Sequence, residues 1–178
     1  PYKKLKLEFQ GIKNVISNYD DSGIIGAGVL LSASPWLSAF SEVVETSGEK
    51  CRLAIIGPGS RGRFLMSFLV QNPKVEIVAL CDIYQPSIEK ALELAPKAKV
   101  YDDYREILED KTVDAVLVAT PLNSHCQIVL DAFDAGKHVF CEKSIGFTME
   151  ECFRIYNKHI STEKVFFTGQ QRLFDPRY

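Results

Sequence analysis

Three glycines in the pattern G-x-G-x-x-G follow an apolar run within residues 52–69, RLAIIGPGSRGRFLMSFL. In this pattern Gly57 permits a tight turn after a strand, Gly59 lets a diphosphate approach the backbone, and Gly62 allows close packing of a helix on the strand. A helix that begins at about Ser60 would point its free amides and the positive end of its dipole at the phosphates. The predicted diphosphate-binding residues are Gly57, Gly59, Ser60, Arg61 and Gly62.

An acidic residue ends the second apolar run, VEIVALCD, at residues 75–82. Asp82 lies twenty positions after Gly62, where a carboxylate can accept hydrogen bonds from both ribose hydroxyls of an adenosine. The same carboxylate would repel a 2′-phosphate, so the sequence favours NAD over NADP as the cofactor. Arg61 and Arg63 flank the predicted phosphate site and leave NADP as the alternative.

Apolar runs and amphipathic segments alternate along the chain from residue 52 onward. The runs have the near-continuous apolar character of strands that are covered on both faces, and they occupy residues 53–57, 75–82, 114–120, 138–143 and 164–169. Two of the segments between them carry helical apolar stripes, Ile88-Ala91-Leu92-Ala95 and Met149-Cys152-Phe153-Tyr156, which we expect to face the core. This order predicts an α/β fold with a Rossmann-type, doubly wound parallel sheet.

Two local patterns predict helix ends. Thr148 and Glu151 have the spacing of a capping box, so a helix is expected to begin after Thr148. Gly136 follows the segment IVLDAFDA and is well placed to end the preceding helix in the left-handed conformation.

Two further stretches carry a resemblance to a known family. ATPLNSHCQIVLDAFDAGKHVFCEKS at residues 119–144 closely resembles the segment of the Gfo/Idh/MocA oxidoreductases that reads A-T-P-x-x-x-H, then A-G-K-H-V, then E-K-P. GQQRLFDPRY at residues 169–178 is similar to the crossover of that family into its second domain. Ser144 stands where the family usually has proline, often after a cis peptide bond.

The resemblance implies roles for individual residues. In the family, the loop after the fourth strand lies along the nicotinamide side of the cofactor, and the Glu-Lys pair follows the fifth strand. The lysine touches both nicotinamide and substrate, which makes Lys143 the expected catalytic residue. The cofactor-binding residues implied in this way are Thr120, Pro121, Leu122, Asn123, His125, Glu142, Lys143 and Gln171.

The resemblance also implies a function and a domain order. The expected protein is an NAD-dependent oxidoreductase of a sugar or polyol, with a substrate-binding α+β domain after this chain that also forms the contact of a homo-oligomer. We expect a leader or extension at residues 1–50, the dinucleotide-binding domain at 51–169, and the start of the crossover at 170–178. Two alternatives stay open: an NAD-using glycosidase of the glycoside hydrolase family 109 type, and a nucleotide-binding module without catalysis.

Composition narrows the remaining possibilities. A net charge of −2 and a pI near 6.0 provide no basic stripe for nucleic acid. The five cysteines have neither CxxC nor zinc-site spacing, so we interpret them as small core residues. Residues 23–40 are uncharged but too short and too interrupted by Pro35 and serines for a stable membrane span. We expect them to be an export signal; a buried or interfacial helix in a cytoplasmic protein is the alternative.

Overall fold

The computed structural model describes residues 50–170. The expected leader at residues 1–50, apart from Lys50, and the crossover after Gln170 lie outside the described residues. The strands are β1 (Cys51–Ile56), β2 (Val75–Cys81), β3 (Lys99–Tyr101), β4 (Ala115–Val118), β5 (His138–Cys141) and β6 (Phe166–Thr168). The helices are α1 (Ser60–Leu69), α2 (Gln85–Leu92), α3 (Tyr104–Glu109), α4 (Leu122–Asp134) and α5 (Met149–Ile160).

The six strands form one sheet in the order β3-β2-β1-β4-β5-β6, and every pair of neighbours is parallel. The chain moves outward from β1 to β3, returns to β4 beside β1, and then moves outward in the other direction. This is the predicted doubly wound sheet, and its switch point lies between β1 and β4. All five predicted strands are present.

Alternate side chains of each strand enter two separate apolar cores. In β1, Leu53 and Ile55 pack with α1 and α2 on one face, whereas Ala54 and Ile56 pack with α3, α4 and α5 on the other. β1 and β4 are buried on both faces, which explains their uninterrupted apolar sequences. Among the described residues, no helix has both the length and the apolar character needed to cross a bilayer.

The sequence did not predict β3. Lys99 and Val100 are exposed, and the strand spans only three residues at the edge of the sheet. A strand this short and this polar produces no apolar run, and it forms because β2 offers a free edge with which to pair.

The expectation for the apolar stripe of α5 was wrong. Met149, Phe153 and Tyr156 are exposed, and Ile155 is the residue that the helix buries. The helix has apolar residues on both sides, and its contact with α4 selects the side of Ile155. The stripe of α2 is confirmed at Ile88 and Ala91, although the helix ends at Leu92, before Ala95.

Both predicted helix ends are confirmed. The Thr148 side chain accepts a hydrogen bond from the Glu151 amide, and the Glu151 carboxylate accepts one from the Thr148 amide. Gly136 has φ +69° directly after α4. Gly136 allows the chain to turn from α4 into β5. The capping box at Thr148 fixes the point at which the loop after β5 ends and α5 begins.

Candidate nucleotide-binding site

The predicted site residues follow four neighbouring strands, β2, β1, β4 and β5. Because these strands are parallel, the segments that follow them meet at one edge of the sheet. The glycine loop (residues 57–59) follows β1, and Asp82 follows β2. The Thr120 loop (residues 119–121) follows β4, and the Lys143 loop (residues 142–148) follows β5. The topology alone therefore assembles most of the predicted site.

Two glycines are required by close packing within this edge. Gly57 has φ +84°, and a Cβ atom there would lie 2.7 Å from the amide nitrogen of Thr120. A Cβ atom at Gly62 would lie 2.5 Å from the carbonyl oxygen of Gly57. These contacts let the glycine loop lie directly against the Thr120 loop on one side and against α1 on the other.

The glycine loop is open where a diphosphate would bind. A Cβ atom built on Gly59 would meet no other atom within 4 Å. Gly59 is also the N-cap of α1, which has no side-chain cap and no acidic residue in its first turn. The first turn of α1 therefore carries no carboxylate of its own beside the first amides, which lie next to the open side of Gly59. Ser60 begins the helix, as predicted, and the loop fits the diphosphate of a dinucleotide.

Asp82 is half-buried at the end of β2. One of its carboxylate oxygens accepts a hydrogen bond of 2.9 Å from the backbone amide of Tyr84. The other oxygen makes no hydrogen bond within residues 50–170. The Tyr84 amide thus fixes the carboxylate in one orientation while an oxygen remains available to a ribose hydroxyl.

Both arginines beside the glycine loop have partners within the protein. The Nε of Arg61 donates to Oε1 of Glu142 at 2.7 Å, and Nη1 of Arg63 donates to the carbonyl oxygen of Pro58 at 2.8 Å. Glu142 follows β5, whereas Asp82 follows β2 on the opposite side of β1. Arg61 therefore extends towards β5 and away from Asp82.

His125 joins the Thr120 loop to the Lys143 loop. The residue is buried in the first turns of α4, with 1% of its surface exposed. Its Nε2 lies 2.8 Å from the carbonyl oxygen of Thr120, and its Nδ1 lies 2.7 Å from the carbonyl oxygen of Ser144. Each ring nitrogen thus faces a backbone carbonyl oxygen, one in each of two site loops, so the imidazole lies between the two loops and contacts both.

The remaining predicted residues of the Thr120 loop lie where α4 begins. Pro121 is the N-cap of α4, and Leu122 and Asn123 form its first turn. The Thr120 hydroxyl accepts a hydrogen bond of 2.7 Å from the Ser124 hydroxyl. This bond ties the loop to the first turn of the helix.

The Lys143 loop places one buried acid next to one exposed base. Glu142 is buried, and its Oε2 accepts a hydrogen bond of 3.1 Å from the backbone amide of Lys143. The Lys143 side chain is exposed, and its ammonium group makes no hydrogen bond or ion pair within the described residues. The peptide bond between Lys143 and Ser144 is cis.

A cavity of about 320 Å³ lies between these segments. The residues that line it are Arg61, Ala119, Thr120, Leu122, His125, Glu142 and Lys143. All of them except Ala119 were predicted from the sequence. Asp82 lies outside the cavity, on the far side of β1, and Gln171 lies outside the described residues.

Gly169 is a site residue that the sequence analysis missed. It directly follows β6, and its amide donates to the carbonyl oxygen of Cys141 at 2.8 Å. A Cβ atom at Gly169 would lie 2.8 Å from the carboxyl carbon of Glu142, so only glycine allows this approach. The sequence did contain one indication of this role: a glycine directly follows a predicted strand, at the same edge of the sheet as the other site loops.

The family match agrees with this geometry. Residues 51–170 match the profile of the "Oxidoreductase family, NAD-binding Rossmann fold" (GFO_IDH_MocA). The chain belongs to the Gfo/Idh/MocA oxidoreductase family. Residues 51–170 are accordingly the NAD-binding Rossmann domain of a Gfo/Idh/MocA protein.

Two curated relatives illustrate the range of the Gfo/Idh/MocA match. A glycosyl hydrolase family 109 protein of Stenotrophomonas maltophilia is 35% identical over 147 residues, which is 74% of this chain and 32% of that protein. A myo-inositol 2-dehydrogenase of Thermotoga maritima is 31% identical over 127 residues, which is 71% of this chain and 38% of that protein. The chain thus spans only a minor part of the length of both curated relatives.

A solved structure shows the same relation to the Gfo/Idh/MocA family. The crystal structure of myo-inositol dehydrogenase from Lactobacillus casei, in complex with NAD(H) and myo-inositol, superposes with a TM-score of 0.68 at 33% identity. The match covers 71% of this chain and 38% of that one. The similarity therefore extends over the Rossmann domain described above.

Other reactive side chains in this Rossmann domain are structural. Cys81 and Cys141 precede the two site acids, Asp82 and Glu142, and both are buried. Burial raises the pKa of the Cys81 thiol to about 11 and raises that of Cys141 further, so both stay protonated near neutral pH. Within residues 50–170 no three histidine, cysteine or acidic side chains are grouped to hold a metal ion. His159 stacks on Phe133.

Proposed function

We propose that this chain binds NAD across the carboxyl edge of its sheet, and that the protein to which it belongs uses NAD to oxidise a hydroxyl group of a sugar or polyol. The adenosine ribose would lie at Asp82, the diphosphate at the glycine loop, and the nicotinamide in the cavity beside Lys143. The observation that carries this proposal is the position of the Lys143 side chain. It lines the cavity, and its ammonium group makes no hydrogen bond or ion pair with a described residue.

Each site residue then has a distinct task. The amides of α1 bind the diphosphate, and the Asp82 carboxylate binds the ribose. Bound NAD would supply an acceptor for the hydride of the substrate alcohol. The Lys143 ammonium would donate a hydrogen bond to the reacting oxygen and stabilise the negative charge that develops there as the hydroxyl proton passes to a base outside the described residues. His125 and Glu142 hold the backbone from which Lys143 extends.

Titration calorimetry of the 178-residue chain tests the cofactor half of this proposal. We expect NAD to bind at one site per chain and NADP to bind more weakly, because Asp82 would face its 2′-phosphate. Comparable affinities for the two cofactors would contradict the role of Asp82. A folded chain that produces no binding heat with either cofactor would contradict the proposal as a whole.

The substrate half is tested on a protein in which this chain is joined to a substrate-binding domain. Myo-inositol is the first compound to test, because the Thermotoga maritima relative is a myo-inositol 2-dehydrogenase and the Lactobacillus casei structure contains myo-inositol with NAD(H). Turnover that reduces one NAD per substrate oxidised would support the oxidoreductase proposal. NAD binding without turnover of any sugar or polyol would favour a nucleotide-binding module.

A second candidate function is an NAD-using glycosidase. The 35% identity to the glycosyl hydrolase family 109 protein of Stenotrophomonas maltophilia supports it. The two enzymes differ in their net reaction, which gives a direct test. A glycosidase would release sugar from a glycoside with no net formation of NADH, whereas an oxidoreductase would accumulate NADH in proportion to product.

A further inference from the structure

The Glu142 carboxylate contacts three segments of the candidate site at once. Its Oε1 accepts from Arg61 in the first turn of α1, and its Oε2 accepts from the amide of Lys143. Its carboxyl group lies directly against Gly169 after β6, where a Cβ atom would lie 2.8 Å from the carboxyl carbon. Only 6% of the Glu142 side chain is exposed. A carboxylate this deeply buried is held in one position by its partners.

Arg61 connects this carboxylate to the diphosphate end of the site. Arg61 is two residues after Gly59, whose open side faces the proposed diphosphate position. The 2.7 Å ion pair with Glu142 therefore spans from the helix that would bind the phosphates to the loop that carries Lys143. Arg61 and Glu142 are 81 positions apart in the sequence, so the fold alone brings them together.

We propose that Glu142 is a positioning residue that, through Arg61, sets the location of the Lys143 backbone relative to the diphosphate-binding loop. This inference rests on the proposed function, since it assigns NAD to the site. The carboxylate fixes the distance between the two ends of the cofactor site. Loss of the Glu142 carboxylate would lower the affinity for ligands that reach the Lys143 loop. The affinity for ligands that end at the diphosphate would stay the same.

The test compares NAD with ADP, which has the adenosine and the diphosphate but no nicotinamide riboside. Calorimetry would measure the affinity of both ligands for the wild-type chain and for the Glu142→Gln variant. This substitution keeps the shape of the side chain but removes its charge. We expect Glu142→Gln to lower the affinity for NAD by about tenfold, because Arg61 would then donate to a neutral amide oxygen instead of a carboxylate, and to leave ADP affinity unchanged or slightly higher.

A similar ion pair elsewhere in the fold supplies the control. Arg52 and Asp114 form a 2.7 Å pair at the opposite edge of the sheet, where β1 and β4 begin. Asp114→Asn should lower the denaturation temperature without changing the ratio of NAD to ADP affinity. If Glu142→Gln does not fold, Arg61→Lys keeps the positive charge but cannot present the same Nε, and it should likewise weaken NAD relative to ADP.

The outcomes separate this inference from the proposed function. If the wild-type chain binds ADP but not NAD, the proposed function is wrong. If the wild-type chain binds NAD and the Glu142→Gln chain weakens NAD and ADP equally, Glu142 stabilises the fold and does not position Lys143. Unchanged affinity of Glu142→Gln for both ligands would also overturn the inference.

Discussion

The two sides of the candidate site are built in different ways. On the side proposed for the adenosine, the glycine loop offers backbone amides and Asp82 offers one carboxylate oxygen, and both lie at an open surface. On the side proposed for the nicotinamide, His125 and Glu142 are buried and each contacts more than one segment of the site. The Lys143 side chain projects beside them, and its ammonium group makes no hydrogen bond or ion pair with a described residue.

This difference predicts different consequences of substitution. Groups on the adenosine side can be removed singly, so their loss should reduce affinity with little effect on folding. Groups on the nicotinamide side support one another, so removal of one should alter the placement of the rest. The glycine loop is where the two sides meet, because Gly57 lies against the amide of Thr120.

The largest effect is expected at that contact. Gly57→Ala would place a Cβ atom 2.7 Å from the Thr120 amide at φ +84°, and we expect loss of NAD binding together with a lower free energy of unfolding. The left-handed conformation alone should cost about 1–2 kcal/mol, measured by urea denaturation. Gly59→Ala is the matched control: its Cβ meets no protein atom, so stability should be kept while NAD binding falls. Equal stability loss in both variants would contradict this difference between the two glycines.

The next largest effect is expected at Lys143, in turnover rather than binding. In a protein that joins this chain to a substrate-binding domain, Lys143→Ala should lower kcat by at least about 100-fold, because the proposed electrostatic contact to the reacting oxygen is lost. Calorimetry should show that NAD affinity is retained, since the Lys143 side chain supports no other residue. Lys97→Ala, at an exposed lysine of the same domain, should leave kcat unchanged. Full activity of the Lys143→Ala variant would contradict the proposed catalytic role of Lys143.

Asp82 tests the adenosine side on its own. Asp82→Ala should lower the affinity for NAD by about 10- to 100-fold, which is the range expected for loss of a hydrogen bond to a charged group. The denaturation temperature should change little. The same substitution should narrow the preference for NAD over NADP, because it removes the charge that would repel a 2′-phosphate. Asp102→Ala, at an exposed aspartate after β3, is the control. Unchanged NAD affinity in the Asp82 variant would contradict the proposed ribose contact.

The smallest effect is expected at Asp110, away from both sides of the site. Hydrogen bonds from Thr112 and Tyr101 lower the pKa of Asp110 from 3.8 to about 2. The folded state therefore binds this proton less readily than the unfolded state, and the stabilisation is present above pH 4 and is lost between about pH 4 and pH 2. Thermal denaturation across this range should show a smaller pH dependence in Asp110→Asn, with NAD affinity unchanged at neutral pH. An identical pH dependence in the two chains would contradict this origin of the shift.

The sequence predicted the features that depend on local pattern. The glycine motif, the apolar strands, the capping box at Thr148 and the left-handed Gly136 each follow from residues that are close in sequence. Because the predicted strands are parallel, the prediction of the sheet was enough to place Asp82, Thr120 and Lys143 at one edge. The family resemblance supplied the roles of the Thr120 and Lys143 loops, which no spacing rule would have given.

The features that were missed depend on tertiary contacts. β3 pairs only because β2 has a free edge, and α5 buries Ile155 rather than Phe153 because α4 packs on that side. The ion pair between Arg61 and Glu142 joins positions that no local pattern relates. Apolar periodicity identifies a helix, but it cannot choose between two apolar sides when the neighbouring elements are unknown.

An NMR titration of the ¹⁵N-labelled chain with NAD tests most directly whether the cofactor spans this edge of the sheet. We predict chemical-shift changes at the amides of Gly59, Ser60 and Asp82, and at Lys143 on the other side of the site. The amides of Arg52 and Asp114, where β1 and β4 begin, should not change. Changes confined to that opposite edge, or none at saturating NAD in a folded chain, would contradict the proposed site.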